Sequence, residues 1–150
     1  MQISTKSTVK APIEFVYEHF YSNKILSNGS TFVYLKKNGL DAGSTWILEH
    51  EYKSFLFTQI KKLVIHLEEA TAPTLYRISY EQRGFHVDRT TRFEQTDQGT
   101  IFTEDVKFKG TKVSTFLILP LCYPLLKYFH RKSARKIAKK LSKLYQQSIT

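Results

Sequence analysis

Residues 85–108 read FHVDRTTRFEQTDQGTIFTEDVKF, and their parity decides the architecture. Thr96-Asp97-Gln98-Gly99 is a strong hairpin signal between two alternating runs. Phe85, Val87, Arg89, Thr91 and Phe93 share one side of the first run. Phe102, Glu104, Val106 and Phe108 share one side of the second. Centring the turn on Asp97 and Gln98 sets Phe93 opposite Phe102 and Thr91 opposite Glu104, so both apolar sets land on one face. Arg89 is then diagonal to Glu104, within reach of a long side chain. A slip of one residue would turn the whole set to the other face, so the register is well specified.

The same period recurs upstream. Residues 2–10 alternate, with Ile3 and Val9 on one side. Thr31–Lys37, Thr45–Lys53, Gln59–Glu69 and Leu75–Arg83 read as four more strands, parted by Asn38–Gly43, Ala72-Pro73 and Gly84. Trp46, Leu48, His50 and Tyr52 share a face, as do Leu63, Ile65 and Leu67, and again Tyr76, Ile78 and Tyr80. With Phe85–Glu94 and Thr100–Lys109 this makes seven strands, six of them consecutive, and predicts an antiparallel meander. Between the first two strands the period changes. In Ala11-Pro12-Ile13-Glu14 the proline suits a first helical position and the acid complements the helix dipole. Ile13, Val16, Tyr17 and Phe20 then predict a short helix over 12–21, ended by Asn23, with one more turn over 24–28.

The last third differs in charge. The chain has 23 basic and 13 acidic residues, a net of +10, yet no acid follows Asp105 while eleven Lys and Arg do. Without that tail the net charge is −1. An apolar run, Phe116–Leu126, broken by Pro120 and Pro124, leads into an amphipathic stretch over Lys127–Gln147. There Ala134, Ile137, Ala138, Leu141, Leu144 and Tyr145 form a helical stripe. Lys132, Arg135, Lys136, Lys139, Lys140 and Lys143 cover the other side.

The bulk numbers bound the answer. At 150 residues and 41% apolar content, one domain over 1–150 is expected. One Cys excludes an internal disulfide and fits a reducing compartment. Residues 1–10 have no apolar core of signal-peptide length, and Phe116–Leu126 is about half the roughly 20 residues of a spanning helix. A cytoplasmic chain, soluble or at most peripheral to a membrane, is expected.

The order strand, helix, six strands, long helix resembles the START-like, or SRPBCC, superfamily with its Bet v 1-like helix-grip fold. Three features carry the resemblance: Val9-Lys10-Ala11-Pro12-Ile13-Glu14-Phe15-Val16-Tyr17, Gly43-Ser44-Thr45-Trp46, and the final helix. Within the superfamily the chain looks most like bacterial proteins of the polyketide cyclase/dehydrase type. The resemblance implies an α+β fold in which a curved seven-stranded antiparallel sheet wraps a long C-terminal helix, with one or two short helices after strand one. It also implies a cavity between sheet and helix for an apolar ligand, with the segment from Phe116 to Phe129 as its gate.

Parity names the expected walls of that cavity: Trp46, Leu48, His50, Tyr52, Ile65, Tyr76, Ile78, Tyr80, Val87, Arg89, Phe93, Phe102, Glu104 and Val106, joined from the gate by Leu125 and Phe129. The polar members His50, Tyr80, Arg89 and Glu104 admit two readings. They orient the polar end of a ligand, or they form a structural ion pair beside a hydrogen-bonded histidine. Function likewise stays open between a carrier of a lipid, isoprenoid or polyketide-like molecule, a metal-free cyclase/dehydratase using those four residues, and a regulator acting on a protein or ribosome. No cofactor is expected. Five His without ligand spacing and a single Cys argue against a metal site. Phe116–Leu126 and the basic helix could meet an anionic membrane. Nucleic acid is disfavoured, because the aromatics alternate into the core rather than among the cations.

Overall fold

The computed structural model describes residues 1–26, 31–53, 58–82 and 84–150, with the side chains of 31–33, 52, 53 and 113–116 left aside. Seven strands and three helices follow in the order β1 (Gln2–Val9), α1 (Ile13–His19), α2 (Asn23–Leu26), β2 (Thr31–Lys37), β3 (Thr45–Lys53), β4 (Thr58–Thr71), β5 (Leu75–Gln82), β6 (Phe85–Thr96), β7 (Gly99–Gly110) and α3 (Val113–Ile149). The strands form one antiparallel sheet ordered β1-β7-β6-β5-β4-β3-β2. Strands β1 and β2, neighbours in sequence, therefore hold opposite edges. The curved sheet and α3 give the α+β helix-grip architecture.

The decisive hairpin has the register that parity predicts: Phe93 pairs with Phe102, Thr91 with Glu104, and Arg89 with Val106. Gly99 closes the turn at φ 124°, and a Cβ there would meet the Val9 carbonyl oxygen at 2.2 Å. Only glycine fits both demands. Strand limits run one or two residues past those expected in β4, β6 and β7, where pairing carries on into the turn residues. Arg83 lies outside the described residues.

The helix expected over 12–21 and the further turn after it are present as α1 and α2, with α1 ending at His19. The Ser22 amide donates to the His19 carbonyl at 3.0 Å, and the Ser22 carbonyl then starts α2 by accepting from Ile25 and Leu26. Asn23 opens α2 rather than ending α1. Its Oδ1 accepts the Leu35 amide at 2.6 Å and ties α2 to β2. Residues 27 and 28 of the expected turn lie outside the described residues.

Nor do the two prolines break the tail. Helix α3 runs for 37 residues with Pro120 and Pro124 inside it. Each removes one backbone hydrogen bond and crowds the preceding turn, a cost of about 3 kcal/mol in a helix interior. The two stand four apart and exposed, on the side of the helix where water can serve the freed carbonyls. Inward, Leu119, Ala134, Ala138 and Leu141 are buried. The alanines allow close approach to the end of β1, where the Lys10 amide donates to Ser142 Oγ at 3.0 Å.

Candidate functional site

The inner face of the sheet has three zones. Around α1, from β3 across to β7, it is solid aromatic core. Trp46 is wholly buried, and its Nε1–H donates to the Gly39 carbonyl at 2.8 Å. Tyr76 stacks on Tyr17 at 4.2 Å between ring centres. Phe20 stands edge-on to Phe93 at 5.2 Å and to Phe102 at 5.0 Å. Such contacts hold rings at fixed angles and leave little free volume.

Midway lies a polar cluster. Arg89 Nη1 sits 3.6 Å from Glu104 Oε1, and its Nη2 donates to the Tyr80 hydroxyl at 3.5 Å. The Tyr21 hydroxyl bonds Thr91 Oγ1 at 3.1 Å. Thr5 of β1 pairs across the sheet with Glu104. Thr5 Oγ1, Arg89 Nε and Glu104 Oε1 are buried with no hydrogen-bond partner. Such orphan atoms are costly in a native interior. Burial pushes the Tyr21 hydroxyl up. Burial opposes the Arg89 charge, but Tyr80 and Glu104 beside it outweigh that and hold its pKa raised. From α3, His130 closes the cluster, its ring 5.9 Å from that of Phe108. Burial, with the Arg89 charge acting the same way, pushes His130 down to about 4.

Beyond the cluster the face opens. Gln82, Phe85, Val87 and Phe108 from the sheet, with Ile118, Leu119, Cys122 and Leu126 from α3, line a recess of about 280 Å³. Val87 and Phe108 are cross-strand partners, and Arg89 is the next inward residue along β6. Along β6 the recess and the polar cluster are thus one inward position apart.

The structure divides the sequence-predicted wall among these zones. Trp46, Ile65, Tyr76, Ile78, Phe93, Phe102 and Val106 are buried in packed core. Tyr80, Arg89 and Glu104 form the polar cluster, and Val87 lines the recess. Leu48 and His50 are half-buried, and burial lowers the His50 pKa. Leu125 and Phe129 are 57% and 54% exposed on the outward side of α3. The side chains of Tyr52 and Phe116 lie outside the described residues. Parity puts Phe85 and Phe108 on this face, but neither they nor Leu119, Cys122, Tyr21 and His130 are among the walls expected from sequence. The signal for His130 was present, since it stands four residues after Leu126 and four before Ala134 on the inward stripe.

Among the described residues no group of three or more His, Cys, Asp and Glu is placed to hold a metal. His86 instead bonds Glu81 Oε1 at 2.7 Å and lies 3.6 Å from Asp88. Among them, too, no helix is long and apolar enough to cross a membrane.

No family model and no curated protein matches the chain. Solved structures do. Protein NE0264 from Nitrosomonas europaea is similar at 11% identity and a TM-score of 0.75, covering 99% of this chain and 96% of that one. Protein CV1439 from Chromobacterium violaceum is similar at 16% identity and a TM-score of 0.68, covering 97% of each. Ara h 8.0201 is similar at 14% identity and a TM-score of 0.67, covering 98% of each. At such identities the likeness is one of fold.

Proposed function

We propose that the chain binds a hydrophobic small molecule, a lipid, isoprenoid or polyketide-like compound, in the recess between β5–β7 and the first half of α3. One observation carries the reading: an apolar recess, walled by Val87, lies one inward position along β6 from the Arg89–Glu104 pair, whose Nε and Oε1 are buried with no hydrogen-bond partner. Ligand sites combine apolar walls with a few convergent polar groups, and a hydroxyl or carbonyl on the ligand would satisfy these atoms. The START-like resemblance points the same way. A recess of about 280 Å³ falls just below the usual range of ~300–1,000 Å³, which favours a short acyl or single-ring ligand. Binding is favoured over cyclase/dehydratase chemistry. The cyclase candidates do not all converge: Tyr80 and Arg89 meet on β5 and β6, whereas His50 stands on β3, two strands from β5.

The test fills the recess. Cys122→Trp projects an indole into it from α3. Titration with a fluorescent fatty-acid probe should show binding to the wild-type chain and at least tenfold weaker binding to the variant, at similar melting temperature. Equal binding by both would overturn the reading.

A further inference from the structure

The outward side of α3 changes character along its length. Over its first half it is apolar: Leu117 is 72% exposed, Leu121 83%, and Leu125, Tyr128 and Phe129 are each more than half exposed. Over its second half it is basic, with Arg131, Lys132, Arg135 and Lys139 exposed and no acid anywhere after Asp105. At the join, Lys132 Nζ lies 6.0 Å from the centre of the Tyr128 ring. Leucines left in water cost free energy, and a contiguous exposed apolar ridge on a soluble face marks an interaction surface.

We propose that α3 docks the chain on an anionic lipid bilayer, the apolar ridge entering the interface and the basic half lying on the headgroups. Charge decides the occupant. A bilayer bearing anionic headgroups offers hydrocarbon for the ridge and negative charge for the cations together. Nucleic acid would take the cations but gain nothing from Leu117 and Leu121. A second copy would cover the ridge but bring like charges together. At 1.5 Å per residue the ridge from Leu117 to Phe129 is roughly 18 Å long. Interfacial helices sink only about 5–10 Å, so α3 lies oblique, first half lower. Ile118 and Leu119, which line the recess, are then held at the lipid boundary. Docking itself goes beyond the ligand reading and does not depend on it.

Flotation with phosphatidylcholine vesicles, with and without phosphatidylglycerol, tests the proposal. The wild-type chain should float only with the anionic vesicles. Leu121→Asp with Leu125→Asp should abolish flotation, since both positions are exposed and the fold should melt unchanged. Replacing Arg131, Lys132, Arg135 and Lys139 by Gln should weaken partitioning by roughly 10²-fold or more, at about fivefold per cation. An environment-sensitive dye on Leu121→Cys, in a Cys122→Ser background, should shift blue on docking; the same dye on Arg135→Cys should not. Flotation indifferent to phosphatidylglycerol, or kept by the double Asp variant, would overturn the proposal. So would lipid-free dimerisation abolished by the double Asp variant, or RNA retention without vesicle binding. Cys122→Trp should float like wild type, so loss of ligand binding and loss of docking can be told apart.

Discussion

The two ends of the inner sheet face share one alternation but not one packing. At the α1 end, Phe20, Tyr21, Trp46, Tyr76, Phe93 and Phe102 meet edge to face and exclude solvent. At the α3 end, Phe85, Val87 and Phe108 look onto a recess and a helix whose Leu117, Leu121 and Leu125 stand in water. Equivalent strand positions thus become core at one end and wall at the other. The element laid across them decides which.

The largest effect is expected at the packed end. Phe102→Ala should cost about 3–5 kcal/mol in denaturant unfolding, because the rings around it cannot collapse into the space. Phe108→Ala, beside space already open, should cost clearly less; equal losses would mean the ends are packed alike. Between them, Glu104→Gln tests the polar cluster. Removing the charge of buried Glu104 opposite half-buried Arg89 should cost roughly 1–3 kcal/mol. A stability loss with unchanged probe binding would make the pair structural; a matching loss of affinity would tie it to the ligand.

A smaller effect concerns pH. His130 is held near 4 when folded and returns to its ordinary value of 6.5 when unfolded. Between these values the unfolded chain binds more protons, so stability falls as pH drops from about 6.5 to 4 and is fully present above. With partial exposure discounted, the effect is on the order of 1–2 kcal/mol. His130→Gln should flatten that slope in melting curves. Smallest of all, Leu121→Asp should move stability by less than about 0.5 kcal/mol, since the position is exposed.

Parity made the sheet legible. Phe93 against Phe102 and Arg89 diagonal to Glu104 follow from the turn alone, because a two-residue hairpin leaves one register. What opposed each face was not legible. Trp46 and Val87 look alike in the alternation, yet one meets Tyr21 and the other a recess, because α1 and the first half of α3 cover opposite ends of β6 and β7. The continuity of α3 was hidden for another reason. Proline is a local veto that packing overrode, with Leu119 holding the turn against the sheet. Leu125 and Phe129 rested on the family's gate rather than on phase: at 3.6 residues per turn both stand opposite the Ala134, Ala138 and Leu141 stripe, and both are exposed.

The strand order also sets a timetable. Among the described residues strand β1 pairs with β7, Gln2 opposite Lys107, and the two are separated along the chain by all the other strands. On the ribosome, synthesis at ~5–20 residues per second keeps β1 waiting on the order of 5–20 s for that partner. Strands β2 to β6 can zip as successive hairpins meanwhile, each closing a short loop. The N-terminal strand is thus the last to be seated, and its open edge is the nascent chain's longest exposure to chaperones and to aggregation.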